Sequence, residues 1–359
     1  MNRLFILMAS VVVLAASAAC ARSTSGAPVQ ARPAGEIAAR VTRRIDPLVP
    51  VFQPGAPLPV ETVADTSADD HRHELFQLES LLRLYRRKYH DLVKPLNKVK
   101  EVEDALGEYR FSVEALAYAR TRFDRDNANR PPDAARRAEQ EKTLQALTAK
   151  EAAARDTFAR VLQRTTLGAD LAPLHALVVS HLGTADASKD LVYVKHEFHH
   201  MLKELQKGSF DFNKLEDGVH EFRRRLRWFP LTIEALDGLV VIRDDPPGMC
   251  PVLPLEQLAG TAPARNRYSN PPLRFPAAHP CTVSRCLLWE VSKTIRDLGR
   301  IKDEAEGTAA LESALDDDFD GPSNNDITPR ETARARAIRK ELDASRVLEI
   351  LDSQLSSCR

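Results

Sequence analysis

Apolar residues recur at helical spacing along most of the chain. Between residues 99 and 116 the intervals alternate between three and four, which places the apolar side chains on one face of a helix. The members of this stripe are Val99, Val102, Leu106, Tyr109, Val113 and Leu116. No segment shows the strict alternation that is typical of a half-buried strand. The sequence therefore predicts an all-α fold built from antiparallel helical bundles.

Two further amphipathic helices are predicted near the middle of the chain. The first spans about residues 189–206 and stops before Gly208, a residue type that commonly ends helices. The second starts near Asn213, and its apolar stripe consists of Leu215, Val219, Phe222, Leu226 and Phe229. Other helices are predicted over about residues 133–162, 285–301 and 329–355. The last of these starts with a capping box, in which Thr328 and Glu331 satisfy each other's backbone amides.

One segment interrupts the helical pattern. Residues 243–283 contain nine prolines and two cysteines and show no periodicity, so an irregular insert is predicted there. Similar tetrapeptides, Asp104-Ala105-Leu106-Gly107 and Arg296-Asp297-Leu298-Gly299, lie on either side of it. Each comes after a helix that carries a histidine. These features predict two similar helical halves, the second of which contains the insert.

The first residues are typical of an exported protein. A short basic head ending at Arg3 precedes an apolar run of about 16 residues, which is shorter than the ~20 that a membrane-spanning helix needs. Small residues stand directly before Cys20. Residues 1–20 are therefore predicted to be a lipoprotein signal, with a lipid on Cys20 anchoring the protein to a membrane on its periplasmic or outer side. The alternative is ordinary signal cleavage, which would give a soluble periplasmic protein.

The segment after the signal differs from the rest of the chain in composition. Residues 21–66 are rich in proline, alanine and small polar residues and are predicted to be a disordered tether, leaving residues 67–359 as the helical domain. Four further cysteines predict two disulfides in an oxidising compartment. Three pairings of these cysteines are open, and the residues concerned are Cys250, Cys281, Cys286 and Cys358.

The distribution of charge along the chain indicates which classes of ligand the protein can bind. The formal net charge is zero, which argues against sequence-specific nucleic-acid binding driven by a whole-protein field. A local anion site is predicted instead, because guanidinium groups match phosphate oxygens and several cations share one helix flank. This set is His220, Arg223, Arg224 and Arg227, assisted from the preceding helix by Lys195, His199 and Lys203. The prediction requires the two helices to aim these side chains into one cleft.

Two segments resemble a known family. Residues 219–227, Val-His-Glu-Phe-Arg-Arg-Arg-Leu-Arg, resemble the opening helix of the CHAD domain, the conserved-histidine α-helical domain. Residues 298–303 resemble the later Leu-Gly-x-x-x-Asp segment of that family. The resemblance covers roughly residues 71–315. It implies two antiparallel helical bundles with a basic central channel, and it implies polyphosphate as the ligand.

An overlapping motif supports a different function. His196-Glu197-Phe198-His199-His200 fits the H-E-x-x-H pattern, in which two histidines hold zinc and the glutamate acts as general base. His196 and His200 would be zinc ligands of a hydrolase or metalloprotease, with Glu221 or Glu216 as the third. The alternative function is therefore zinc-dependent hydrolysis through Glu197.

Two weaker interpretations remain. Asp316, Asp318 and Asp320 match the start of a calcium-binding loop, but Ile327 stands where the closing glutamate belongs.

The chain also lacks a nucleophile elbow, a phosphate loop and a dinucleotide fingerprint, so the sequence favours a protein without catalytic activity. A structural envelope lipoprotein without a ligand is the third interpretation.

Overall fold

Apolar stripes at helical spacing form helices in most of the segments that the structure describes. The computed structural model describes residues 36–52, 69–183, 187–245, 250, 261–265, 269, 275, 277, 280–315 and 327–358. Helices account for most of these residues, which confirms the all-α prediction. None of the helices in the described segments is both long and apolar enough to cross a membrane.

The first half of the chain contains the longest helices. They are, in order, α1 (Glu36–Ile45), α2 (Leu48–Val51), α3 (Asp69–Tyr85), α4 (Val93–Asn129), α5 (Ala134–Thr165) and α6 (Leu167–Leu182). A 3₁₀ turn, His90–Leu92, leads into α4. The helices α4 and α5 pack along each other as a hairpin, and α3 lies against α4.

The second half adds helices and one small sheet. Its elements are α7 (Ala187–Lys207), a π-helical turn (Leu215–His220), α8 (Glu221–Ala235), β1 (Val240–Arg243), α9 (Ala262–Arg265), β2 (Cys281–Ser284), α10 (Arg285–Leu315), α11 (Pro329–Ala344) and α12 (Val347–Ser356). The helix α8 packs against α3, α7 and α10, and α12 packs against α7.

The predicted stripes line the core almost without exception. Phe222, Leu226 and Phe229 of α8 are completely buried, and the ring of Phe229 meets Phe198 of α7 edge-on with centroids 5.3 Å apart. Burying a large apolar side chain contributes about 1.5–3 kcal/mol. Val113 of α4 is the exception and is exposed. Leu116, the next residue of the stripe, is buried again, in a second cluster with Leu147 and Leu311.

The predicted tether is wrong for residues 36–52. The helices α1 and α2 lie in this stretch, and their apolar residues Ile37, Val41, Ile45 and Leu48 are buried in the main core. Both helices pack against α6. The composition of residues 21–66 as a whole concealed this short amphipathic segment.

Arginines of α1 cap the end of α8. Arg40 is buried and donates from Nη1 to the carbonyl oxygens of Leu236, at 2.8 Å, and Asp237. Arg44 donates to the carbonyl oxygen of Glu234 at 2.8 Å. The last carbonyls of a helix have no partner within the helix and carry its negative dipole end. The arginines supply both the missing donors and the opposite charge.

The prediction that no strand is present is wrong. The strands β1 and β2 pair in parallel, from Val240 opposite Cys281 to Arg243 opposite Ser284. Each has four residues, and a short apolar run cannot be distinguished from a piece of buried helix by periodicity. The strands stand at the two ends of the predicted insert, 243–283, and close it at its base. Within the insert, α9 packs on α10 through Ala264 and Trp289.

The four cysteines lie in two pairs, which is the number of disulfides that the sequence predicted. Cys250 lies at disulfide distance from Cys286, with Cα atoms 5.9 Å apart, and Cys281 from Cys358, with Cα atoms 5.1 Å apart. Of the three pairings that the sequence left open, the fold selects this one. Disulfides of this kind are compatible with an exported protein.

The C-terminal segment forms two helices where one was predicted. Arg346 adopts a left-handed conformation, φ 55°, and separates α11 from α12. The capping box at Thr328 and Glu331 is present as predicted. Several predictions fall outside the described residues: the signal, the lipid site at Cys20, and Asp316, Asp318 and Asp320 of the calcium loop.

The two similar tetrapeptides occupy related positions. A Cβ atom on Gly107 of α4 would lie 3.5 Å from Nη2 of Arg72, which comes from α3. A Cβ atom on Gly299 of α10 would lie 3.0 Å from Nε of Arg223, which comes from α8. In both halves, an arginine of the first helix crosses the second helix at its glycine. The arginines stand at different offsets from the histidines of their helices, one residue before His73 and three after His220, so the repeat stays a prediction.

Candidate functional site

The cations predicted on α7 face the C-terminal helix. Lys195 donates from Nζ to the carbonyl oxygen of Cys358 at 2.6 Å, and Nδ1 of His199 lies 2.7 Å from a carboxylate oxygen of Asp352. Lys203 is exposed. The contacts of Lys195 and His199 therefore fasten α7 to α12 and its C-terminal end, away from α8.

The cations predicted on α8 point in several directions. Arg223 donates from Nε to the carbonyl oxygen of Ile295 in α10 at 3.1 Å. Arg227 lies over the ring of Phe76 in α3, 4.3 Å from its centroid. His220 contacts Glu216 within the π-helical turn. The predicted seven-residue cluster does not form, because its members spread over more of each helix surface than one cleft can face. Arg224 is the member that does line a cleft.

That cleft lies between α3, α7 and α8 and has a volume of about 340 Å³. Five arginines line it: Arg83, Arg86, Arg87, Arg224 and Arg225. Three glutamates also line it, Glu197, Glu204 and Glu221, together with His200. The lining thus has two more arginines than glutamates, before His200 is considered. We call this the arginine cleft.

Ion pairs within the arginine cleft are unevenly shared. Glu221 accepts from both Arg224 and Arg225, the latter at 2.6 Å, so one carboxylate serves two guanidinium groups. Burial acts to raise the pKa of Glu221, but hydrogen bonds and charges from Arg225 and Arg224 outweigh it and hold the pKa below its ordinary value. Arg86 is exposed, and its guanidinium group makes no ion pair or hydrogen bond with the residues that the structure describes.

The other charges of the cleft are paired one to one. Arg87 lies 3.4 Å from Glu197, from Nη1 to Oε2. His200 lies 3.2 Å from Glu204 on the same helix. Arg83 lies 2.6 Å from Glu79, a buried carboxylate behind the cleft. Burial raises the pKa of Glu79, and the charge of Arg83 offsets only part of that effect.

The floor of the arginine cleft is polar and tightly held. Ser80 of α3 and Thr232 of α8 share a hydrogen bond of 2.6 Å, and Thr232 also donates to the carbonyl oxygen of Trp228 at 2.7 Å. Behind them, Nε2 of His73 lies 2.9 Å from Oε1 of Glu234. Buried polar contacts of this kind fix the spacing of two helices, since breaking one leaves a buried group unsatisfied.

A stack of arginines and aromatic rings extends from the cleft. Arg83 lies 4.8 Å from the ring of Trp228, Arg227 lies between Trp228 and Phe76, and Arg72 lies 5.0 Å from Phe76. Burial lowers the pKa of Arg72; Glu103 opposes this, and nearby Arg110 and Arg227 lower it further. Guanidinium groups stack favourably on the faces of aromatic rings, and this attraction allows these arginines to lie close together despite their like charge.

Four arginines of the cleft were missed in the sequence: Arg225, beside the predicted Arg224, and three at the end of α3. Arg83, Arg86 and Arg87 end α3 and extend just beyond it, where cations commonly offset the negative end of the helix dipole. These arginines stand three residues and then one residue apart, and this spacing was the sequence signal for a local cluster of cations. Without the partner helices, it could not be distinguished from ordinary C-terminal capping.

The predicted zinc site is not supported by the geometry. His196 is exposed, His200 pairs with Glu204, and Glu221 lies between two arginines. Across the described segments, these residues do not form a group of three ligands that could share an ion. Glu197, the predicted general base, pairs with Arg87. A helical H-E-x-x-H sequence therefore occurs here without the third ligand that zinc requires.

No family model matches this chain, and no curated protein or solved structure is significantly similar to it. The resemblance to the CHAD domain therefore remains a prediction.

Proposed function

We propose that this protein binds a polyanion, such as polyphosphate or an acidic envelope polymer, in the arginine cleft between α3, α7 and α8. The observation that carries the proposal is the convergence of five arginines and three glutamates on one cleft of about 340 Å³. The ligand class is the one that the sequence predicted, but the residues are largely different.

The chemistry of the cleft favours oxyanions. An arginine offers five donors in a planar fork that matches phosphate and carboxylate oxygens. Arg86 has no counter-charge among the described residues, and Glu221 alone serves Arg224 and Arg225. These three guanidinium groups therefore retain donors for a ligand.

The surroundings favour an extended ligand. The stack that runs through Trp228, Arg227, Phe76 and Arg72 continues a row of partly buried arginines beyond the cleft, in which Arg72 also pairs with Glu103 at 3.3 Å. A basic track of this kind suits a chain of anionic groups better than a single anion, since each further contact adds to the binding energy. The CHAD resemblance, with its implied basic channel, supports the same ligand class.

The test is a binding titration with fluorescently labelled inorganic polyphosphate at several salt concentrations. We expect saturable binding whose affinity falls steeply with salt, because a polyanion releases counterions when cations bind it. The variant Arg86→Ala/Arg224→Ala removes two cleft cations and leaves Arg225 to neutralise Glu221. It should weaken binding at least about tenfold per arginine, as expected for charge-assisted hydrogen bonds of ~1.5 kcal/mol or more. It should also reduce the salt slope by about two.

A matched control separates the cleft from general charge. Arg120→Ala/Arg125→Ala removes two exposed arginines of α4, a helix that contributes no residue to the lining of the cleft, and lowers the net charge equally. We expect this variant to bind like the wild type. Equal weakening by both double variants would refute the assignment to the cleft, and absence of binding by the wild type would refute the function. The latter result would favour the structural role.

We further propose that the protein is exported and carries a lipid on Cys20. The disulfide pairs Cys250–Cys286 and Cys281–Cys358 support an oxidising compartment. Small residues before Cys20 suit a lipoprotein peptidase. In a bacterial host, the wild type should fractionate with membranes, and Cys20→Ser should move to the soluble exported fraction. Mass spectrometry that finds an unmodified N-terminal residue other than Cys20 would contradict the lipid.

A further inference from the structure

We infer that Glu216, His220 and Glu306 bind one divalent transition-metal ion, for which zinc is the best chemical match. One ligand atom from each of these side chains lies within 4.8 Å of the other two. Among the described residues, this is the group of three that can share an ion. The inference does not depend on the proposed polyanion binding.

The distances suit coordination after a small adjustment. Nδ1 of His220 lies 2.8 Å from Oε2 of Glu216. Donor atoms bound to zinc at ~2.1 Å in a tetrahedron lie about 3.4 Å apart. The hydrogen-bonded histidine and glutamate would have to separate by about 0.6 Å on binding the ion, and the third carboxylate would have to approach by at most about 1.4 Å. Rotation about the bonds of a glutamate side chain covers that distance.

The backbone that presents two of the ligands is unusual. Glu216 and His220 lie one turn apart in the π-helical turn, Leu215–His220. Gly218 permits this turn to pack closely, because a Cβ atom there would lie 1.9 Å from the carbonyl oxygen of Asp211. The turn packs on α10, which contributes Glu306. The ligands thus come from elements that are distant in sequence and are joined by tertiary packing.

The charges around the group leave room for a cation. Lys302 contacts Oε2 of Glu306 and lies 3.8 Å from Asp303. With a neutral imidazole, the two ligand carboxylates and this lysine sum to one negative charge, and Arg224, which also acts on Glu216, is itself paired with Glu221. The lysine can orient Glu306 through Oε2 and leave Oε1 to coordinate, as outer hydrogen bonds to ligating carboxylates commonly do.

The ligand set decides the class of metal. One imidazole and two carboxylates suit zinc, manganese or iron, whereas calcium and magnesium prefer oxygen ligands alone. Zinc stands above manganese and iron in general affinity for such sites. The side chain of Glu216 is 57% exposed and that of Glu306 is 16% exposed, so the site opens to solvent on one side. Three protein ligands and an open position for water are typical of zinc outside purely structural sites.

The test uses the full chain, stripped of metal with a chelator and titrated with zinc chloride by calorimetry. We expect one zinc per chain and a higher melting temperature in the presence of zinc. Cobalt substitution should give visible absorption bands of a four-coordinate site. Glu306→Gln and His220→Ala should each weaken zinc binding at least about tenfold. Glu216→Gln changes an exposed side chain and provides a third variant that is expected to fold normally.

The matched control is His200→Ala. His200 and Glu204 form a histidine–glutamate pair with the same spacing of four residues, at 3.2 Å, but without a third carboxylate in a metal-binding group among the described residues. This variant should bind zinc like the wild type. The inference is overturned if the wild type binds no zinc. It is also overturned if binding survives Glu306→Gln and Glu216→Gln but is lost in His200→Ala, which would place the metal at the H-E-x-x-H motif.

Discussion

Three glycines of this chain provide a graded test of how tightly its helices pack. A Cβ atom would meet its nearest neighbour at 1.9 Å on Gly218, at 3.0 Å on Gly299 and at 3.5 Å on Gly107. The neighbour is a backbone carbonyl oxygen in the first case and an arginine side chain in the other two. Replacing each glycine with alanine therefore makes the same chemical change against three degrees of crowding.

The magnitudes result from two opposing effects. Alanine stabilises a helix interior by about 1 kcal/mol relative to glycine. At Gly107 the new methyl makes ordinary contact, so we expect a gain of about 0.5–1 kcal/mol. At Gly299 the side chain of Arg223 has to move slightly, and we expect a net change near zero. At Gly218 a fixed carbonyl has to move by more than about 1 Å, which should cost at least about 2 kcal/mol.

Urea unfolding monitored by circular dichroism measures the three differences. The disulfides should stay oxidised, and the midpoints can be compared if the slopes agree. We expect the order Gly107→Ala above wild type, Gly299→Ala near wild type, and Gly218→Ala far below. A Gly218→Ala protein as stable as the wild type would show that the π-helical turn is not packed as described. The same result would also count against the proposed metal site, because two of its ligands lie in this turn.

Other predictions concern the caps, the disulfides and a buried carboxyl. Arg40→Met removes the charged donor to two carbonyls at the end of α8 and should lower the free energy of unfolding by about 3 kcal/mol; a loss under ~1 kcal/mol would contradict the capping role. Peptide mapping without reduction should recover the pairs Cys250–Cys286 and Cys281–Cys358, and any other linkage would contradict the fold. The pKa of Glu79 is raised by burial, so its contribution to stability is full below the ordinary value of 4.5 and is lost as the pH rises through the raised value. Glu79→Gln should therefore gain stability relative to the wild type as the pH rises above 4.5, and a constant difference between about pH 4 and pH 7 would refute this.

Local pattern predicted the helices well because burial tracks periodicity. The stripe of α8 was predicted residue by residue, and the capping box at Thr328 begins α11 as expected. The predictions were wrong where a structure depends on contact with residues that are distant in sequence. The burial of α1 depends on α6, and the strands β1 and β2 exist only because residues about 40 apart in sequence meet. Neither partner is visible in a short window of sequence.

The sequence predicted the chemistry of the candidate site, a cluster of arginines, better than it predicted which residues form it. A helical wheel places Arg223 and Arg227 near Arg224, but it does not show which neighbouring helix each one meets. In the structure Arg223 meets α10 and Arg227 meets α3, while Arg224 faces the cleft. Helix packing decides which part of a basic surface becomes concave, and packing depends on long-range contacts. The zinc prediction at the H-E-x-x-H motif failed for the same reason, since a third ligand has to come from elsewhere in the chain.

The pairing of β1 with β2 has a consequence for protein engineering. Because Arg243 and Ser284 are held opposite each other, the segment between them begins and ends at neighbouring positions. The entropic cost of a closed loop rises by only about 0.6 kcal/mol for each doubling of its length. Lengthening the insert by a short peptide should therefore cost the helical body little free energy, as long as β1 and β2 stay paired.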